Sequence, residues 1–555
     1  MGLLVIRPHS VGVVRQDSNG VGLSKSMMAT FQQTLDSLVV PAAFARHDRI
    51  ADTTVLAELY AWKSNTETLL NQLDSINVST LTISELAGFV FVLAPLTAVA
   101  QWSSPATRSL ANAHLSRIPP SDQLIAHILI QVVKPLFAPT PHPRLHTSTA
   151  RVLPRPADVQ DTYVEQPWKD HPGLDESIRW CLLNTESSTY ETAWPFFLPP
   201  VMSILDDYQV PYKLLGVRLV SDMLKRVPPQ LLLRTGVDTL MFNSLTNALS
   251  HLGDQSTPDF IRLAVRTTLQ LIDLTTPSVF PSHGISLHDN EPQGTPDPVL
   301  SRTLSASQSK SLSTRFSRLS ILLSSSLLGT VIMYTPPFLP PVSSLAPDPD
   351  PFGDPEHVDL DPAYATPLQR PTPQKQSVNP TLIAAAQSLP PVLSALGIGG
   401  ARFLKGVVPV LAEWLGLPLP IVAFEAGCGS NDSGDASHNA QRAYYGSKSS
   451  TVDVTLHVAS LSSLSVLFHT CTSRMGGWSM TIVDAIGRCW VGCLDIESGR
   501  RDYIVSEESL AILKIQLKET AVQLARIYPG VAKNEYAMLL ASNETLFEGL
   551  VGEIC

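Results

Sequence analysis

From Gln166 to Thr275 apolar residues recur at helical spacing, and the remainder of the chain is placed most easily relative to that block. Val217, Val220 and Leu224 form one stripe, which Leu214, Leu215, Leu219 and Met223 widen. A stripe that wide belongs to a helix buried on more than one side. Proline lacks an amide donor and disfavours helical backbone in the residue before it. Tyr208 to Pro211 therefore separates two helices, and Val227 to Pro229 ends the second. Thr235 and Asp238 have the spacing of a capping box, which predicts that the next helix starts at Arg234–Thr235–Gly236. The block reads as helix, tight turn, helix, short loop, then another such pair. That is the plan of a helical solenoid.

The same pattern orders the flanks. Residues 1–25 are glycine-rich and weakly patterned, so a flexible N-terminus is expected there. An N-terminal helical array follows over 26–150, with a capping box at Thr82-Ile83-Ser84-Glu85 opening an apolar helix over Leu86–Ala100, and another helix over Asp122–Leu136. The central block is bounded at 151–280, its first residues to Glu165 being a polar connector. Next come a Ser/Pro-rich insertion expected to be disordered (281–318), a short helix (319–334) and a Pro-rich linker (335–380) with 13 prolines. A C-terminal array over 381–555 carries long helices at Trp478–Leu494 and Glu507–Ile527, interrupted by a Gly/Ser/Asn/Asp loop at 427–450 that is also expected to be disordered. No convincing strand period occurs. The predicted fold is all-α, a HEAT/armadillo-like helical-repeat solenoid with long disordered linkers.

One helix pair has a finer signal. Pro199, Asp207 and Lys213 stand where HEAT repeats place a proline in the first helix, an aspartate at the turn and a basic residue in the second. Asp207 is expected to cap the second helix. Tyr208 and Arg234 also fall at turns, which line up along the edge of a solenoid, where Tyr and Arg are favoured interface anchors. They are candidate partner-binding residues, with Asp206 as part of an acidic turn.

Composition narrows the function. Charged residues make up 16% of the chain and the net charge is −10, so a broad nucleic-acid surface or an anionic membrane is a poor partner. Six cysteines include no CxxC pair, and Cys489-x-x-x-Cys493 has no second pair to complete a zinc set; buried free thiols in a reducing compartment are expected. The Gly-rich run at 427–435 lacks the Lys-Ser/Thr ending of a phosphate loop, and no GxSxG pattern occurs. Adjacent Asp206 and Asp207 point apart on a helix end, and the histidines, His142 and His146 among them, read as exposed loop residues. No signal h-region is present, and Leu86–Ala100 is short for a membrane span and contains Pro95. A cytoplasmic and nuclear protein without catalytic residue, metal or cofactor is expected.

The block also resembles one family. Trp194, Pro199-Pro200, Leu205-Asp206-Asp207-Tyr208, Tyr212-Lys213, Gly216 and Leu233-Arg234-Thr235-Gly236 are similar to the signature of the Tel-two-interacting protein two (Tti-two) family. Trp180-Cys181, the run Lys134 to Pro143, Trp478 and Cys489-Trp490 fit the same pattern. The likeness is dense over Lys134–Thr275 and thinner over Leu382–Ala525. It implies a non-enzymatic scaffold subunit of the triple-T (TTT) co-chaperone complex, with Tel-two and Tti-one family proteins as partners. That complex acts with Hsp-ninety and its R-two-T-P adaptor in maturing phosphatidylinositol-kinase-related protein kinases (PIKKs), which serve DNA-damage, telomere and TOR-type growth signalling. The alternative from the helical pattern alone is a karyopherin-like transport adaptor.

Overall fold

The computed structural model describes residues 25–45, 52–146, 148–154, 166–250, 256–276, 306–334, 380–417, 419, 454–498 and 507–554. The expected N-terminal residues 1–24, most of the linkers (281–305 and 335–379) and the loop 427–450 lie outside them. Among the described residues all regular structure is helical, and the β-type pairing is an isolated bridge between Leu145 and Val152. The fold is all-α, with helices packed on one another as in a helical-repeat solenoid. Two compact units interleave along the chain: Met1–Ile204 with Leu219–Val237, and Leu205–Arg218 with Asp238–Cys555.

In the first unit, α1 (Lys25–Leu38) and α4 (Pro105–Ser116) each pack against both α2 (Thr53–Gln72) and α3 (Ile83–Leu93). The capping box that opens α3 is formed: the Glu85 amide donates to the Thr82 hydroxyl, and the Thr82 amide donates to the Glu85 carboxylate. Phe89, Val90 and Leu93 of α3 are buried. The helix ends before Pro95, which sits in a tighter turn over Ala94–Thr97. Helix α5 (Asp122–His127) runs through a wide turn into Lys134–Phe137. His114 of α4 is buried, its Nε2 2.9 Å from the Leu70 carbonyl and its ring edge-on to Phe89. Burial holds its pKa below the ordinary histidine range, although the Leu70 carbonyl and Asp74 favour the charged form.

Helix α6 (Leu174–Asn184) sets Arg179 between two acids of the same unit. The Arg179 Nε donates to Asp222 at 2.6 Å and its Nη1 to Glu176 at 3.2 Å, while Lys225 donates to Asp222 at 2.5 Å. Burial alone would raise the Asp222 pKa, but the hydrogen bonds from Lys225 and Arg179 outweigh it and hold the carboxyl below its usual range.

The second unit contains the larger helical stack. Helices α7 (Tyr190–Leu205) and α8 (Val210–Leu224) cross from one unit to the other, and α9 (Pro229–Thr235) and α10 (Val237–Asn247) follow. Then come α11 (Thr257–Thr275), α12 (Ala306–Ile321), α13 (Leu328–Tyr334), α14 (Pro380–Leu396), α15 (Leu404–Gly416), α16 (Thr455–Thr470), α17 (Ser479–Glu497) and α18 (Glu507–Ile527). Helices α11, α14, α16 and α18 lie side by side in one layer, and α15 and α17 pack over α16 and α18 in a second. The stretch Pro380–Gly416 is long and apolar enough to cross a membrane by length and composition, but 56% of its most apolar window is buried against neighbours, as in a core helix.

The insertion expected to be disordered over 281–318 is corrected at its C-terminal end. Residues 306–318 belong to α12, which a wide turn joins to α13 in one helical run to Tyr334. Composition misled because serines fill the spaces between Leu312, Phe316, Leu319 and Leu323, which recur at helical spacing. A buried ion pair secures this run: the Arg318 Nη2 donates to Asp238 at 2.5 Å, its Nη1 donates to the Thr275 hydroxyl at 3.0 Å, and the guanidinium lies over the Phe242 ring.

Arg318→Ala is expected to lower the unfolding free energy by roughly 3–5 kcal/mol, because Asp238 would stay buried without its partner. The double change Arg318→Met with Asp238→Leu is expected to recover at least half of the loss, read from urea unfolding curves. A second prediction concerns pH. Asp222 has a depressed folded-state pKa, so its stabilisation is present above the ordinary carboxyl value of 3.8 and is lost as pH falls through the folded value. His114 has a lowered pKa and is favoured neutral, so its contribution is present above 6.5 and declines as pH falls below it. Melting temperature should therefore drop in two stages on acidification, the second blunted in Asp222→Asn.

Candidate partner-binding surface

The residues singled out by the sequence divide between the units. Trp194, Pro199, Arg234, Thr235 and Gly236 lie in the first; Asp206, Asp207, Tyr208, Lys213 and Gly216 lie in the second. Each set is described within its own unit.

In the second unit, residues 206–209 form the turn between α7 and α8. Asp207 is 1% exposed, and its Oδ1 accepts a 2.9 Å hydrogen bond from the Gln209 amide. The carboxylate closes a turn two residues ahead of Gln209, whose own carbonyl accepts the first helical bond from Lys213. Asp206 is half-buried and accepts from the Ser244 hydroxyl on α10 at 3.1 Å, which ties the turn to that helix. Between these anchored acids and α8 stands Tyr208, which is 61% exposed. Its ring is the large exposed side chain of this turn. Lys213 is half-buried in α8, and Gly216 is buried one turn further on.

In the first unit, Trp194 is buried in α7, and Pro199 is half-buried inside the same helix. Arg234 ends α9, its side chain 56% exposed and paired with Glu191 of α7 at 2.5 Å. Leu233 beside it is also exposed. The helix start expected at Arg234–Thr235–Gly236 is a helix end instead. Gly236 has φ +72 and caps α9 in the left-handed conformation, its amide directed to the carbonyls of Leu232 and Leu233. The Thr235 hydroxyl donates backward to the Leu231 carbonyl at 2.7 Å, not forward to Asp238. The threonine-to-aspartate spacing imitates a capping box, but the glycine between them decides the geometry. Asp238 turns instead to Arg318.

Among the described residues no group of three or more His, Cys, Asp or Glu is placed to hold a metal ion. Cys489 and Cys493 are buried one turn apart; the hydrogen bond between them, and then burial, push the Cys489 thiol well above its ordinary value. Burial does the same to Cys181. His142, expected in an exposed loop, is buried and accepts from the Arg144 amide at its Nδ1, whereas His146 is exposed. Cys428 and Cys555 lie outside the described residues.

The family model of the Tti2 family, the Tti-two family of the resemblance above, matches residues 90–419. That span exceeds half of the chain. The chain belongs to the Tti2 family. Comparisons with curated proteins and with solved structures find no match. The Tti2 match takes in both sets of turn residues, together with Arg179, Asp222 and Arg318. Trp478 and the Cys489–Trp490 pair lie beyond it.

The sequence did not single out the half-buried Arg179 or the buried Arg318. Arg179 and Arg318 each stand in an otherwise amphipathic helix, and only the acid brought opposite by folding distinguishes them from surface arginines. Residues that build the turns and residues that are merely exposed on them can be sorted by substitution. Asp207→Ala is expected to cost roughly 0.5–2 kcal/mol through loss of the turn bond, and Gly236→Ala about 1 kcal/mol through its positive φ. Arg234→Ala should cost less than about 1 kcal/mol, its ion pair being exposed, and Tyr208→Ala should leave the melt nearly unchanged. Thermal melts of the four variants check this order, and an early melt for Tyr208→Ala would make that ring part of the core.

Proposed function

We infer that this protein is a non-enzymatic scaffold subunit of the TTT complex, associating with Tel-two and Tti-one family proteins. The observation that carries the reading is the Tti2 family match over residues 90–419. The architecture agrees with it: an array of helix pairs offers a large surface for its mass, with turns at its edges. Tyr208 and Arg234 are exposed at such turns, the first held by the Asp207 carboxylate and the second by the Gly236 cap, as contact residues need to be. Asp206 supports the turn from beneath, and its contribution to binding is the positioning of Tyr208.

Through that complex the protein supports Hsp-ninety- and R-two-T-P-dependent maturation of PIKKs, and thereby DNA-damage, telomere and TOR-type signalling, in the cytoplasm and nucleus. Large helical-repeat clients of that kind expose apolar faces until they are assembled, and a scaffold subunit can shield such a face. Rapid depletion of the protein in cells is the test. PIKK polypeptides should fall together several-fold while their messenger RNAs stay constant, and wild-type protein should restore them. Unchanged kinase levels after depletion would remove this function, and restoration equal to wild type by a Tyr208→Ala, Arg234→Ala double variant would remove the two residues from the contact.

A further inference from the structure

We propose that the basic face of the hairpin at residues 144–153, in the first unit, is a docking site for an extended acidic segment of a partner protein. The sequence changes character here: no Asp or Glu occurs between Asp122 and Asp158, in a chain that carries 49 acids against 39 bases. Two backbone bonds of 2.9 Å close the hairpin, from the His146 amide to the Arg151 carbonyl and from the Leu153 amide to the Arg144 carbonyl. Leu145 and Val152 stand opposite each other on one face, and Leu145 is buried. Successive side chains of extended backbone point to opposite faces, so Arg144, His146 and Arg151 share the other. All three are exposed.

The body of the unit holds this face in place. The Val152 amide donates to the Thr235 carbonyl at 3.4 Å, which fastens the hairpin to the end of α9. Ala150 closes the turn with φ +50, its methyl fully buried and its amide donating to the His146 carbonyl at 2.8 Å. The Ser148 and Thr149 hydroxyls each lie 3.2 Å from the His146 Nδ1, which orients that ring. Arg234 precedes the threonine that receives the hairpin, but Glu191 already holds its guanidinium. Among the described residues neither Arg144 nor Arg151 pairs with an acid, so both guanidiniums are open to a partner.

Charge and spacing select the partner. Arg144 is opposite Leu153, so Arg151 is its diagonal neighbour across the two chains, at a backbone separation of roughly 7–8 Å. Acids two residues apart on an extended chain are about 7 Å apart. Alternate acids of one segment can therefore meet both guanidiniums, each of which can take a carboxylate through two nitrogens. Nucleic acid is the poorer occupant, because its phosphates need a broad basic surface and this chain has a net charge of −10. Among the described residues of the hairpin no large apolar side chain is exposed, which leaves a lipid surface without an anchor.

The test uses the full chain and a fluorescein-labelled peptide of alternating Glu and Ser, with a Lys and Ser peptide of the same pattern as control, read by fluorescence anisotropy. It involves no subunit of the proposed complex, so its failure and the failure of that reading are separate results. The Glu/Ser peptide should bind and the Lys/Ser peptide should not. Arg144→Gln with Arg151→Gln should weaken binding about tenfold and flatten its salt dependence. Both side chains are exposed, so the melt should not move. Arg226→Gln, which removes another exposed arginine of the same unit, should leave binding unchanged. Equal binding of the Glu/Ser peptide to wild type and the Arg144, Arg151 double variant, or an equal loss in Arg226→Gln, would overturn the proposal. Tighter binding of a single-stranded oligothymidylate than of the Glu/Ser peptide would also overturn it, in favour of nucleic acid. So would a tenfold gain in affinity on neutralising Asp158, Asp161 and Glu165, which would assign the face to this chain's own connector.

Discussion

Burial of α14 between α11 and α16 is the constraint on which the second unit depends. Most of Thr381 to Leu396 is buried, with Gln387, Pro391 and Ser394 forming one exposed stripe. An apolar face that wide cannot be covered by one neighbour, so helices must pack on it from both flanks. Helix α11 and the run from α12 to α13 cover one side, and α16 the other, with α15 and α17 closing the second layer. The buried Arg318 then acts on the same assembly, because it joins α12 to Asp238 and Thr275 on α10 and α11. Desolvating a guanidinium is costly unless all its bonds are met, which fixes where α12 can sit more narrowly than apolar packing would.

The helices themselves were legible in the sequence because their signals are local. Thr82 and Glu85 predicted a capping box that the structure forms, and Tyr208–Pro211 marked a turn that the structure places at 206–209. What misled was chemistry whose meaning depends on distant partners. Thr235 and Asp238 matched a local pattern, yet Gly236 took the left-handed conformation and Asp238 paired with an arginine eighty residues away. Serines between the leucines of α12 made a buried helix look like linker, since composition does not register which face the serines occupy.

The candidate contact residues follow the same logic. That Tyr208 is exposed could be expected from its place at a turn, but that the two acids before it turn inward could not. The motif around it is mainly an instruction for building the turn, and Tyr208 is what the finished turn presents. Arg234 is comparable in the first unit: the glycine after it ends the helix and leaves the guanidinium at the surface beside Glu191. Family membership supplies the biological frame, while the side chains explain how the turns are built and what they leave exposed.

A scaffold of this kind is defined by the assembly it enters, so reconstitution is the direct test. The chain is co-expressed with Tel-two and Tti-one family proteins, purified through a tag on one partner, and examined by native mass spectrometry. A single assembly containing all three polypeptides is the predicted result. Recovery of the two partners without this chain, while the chain itself is folded and soluble in the same lysate, would contradict it.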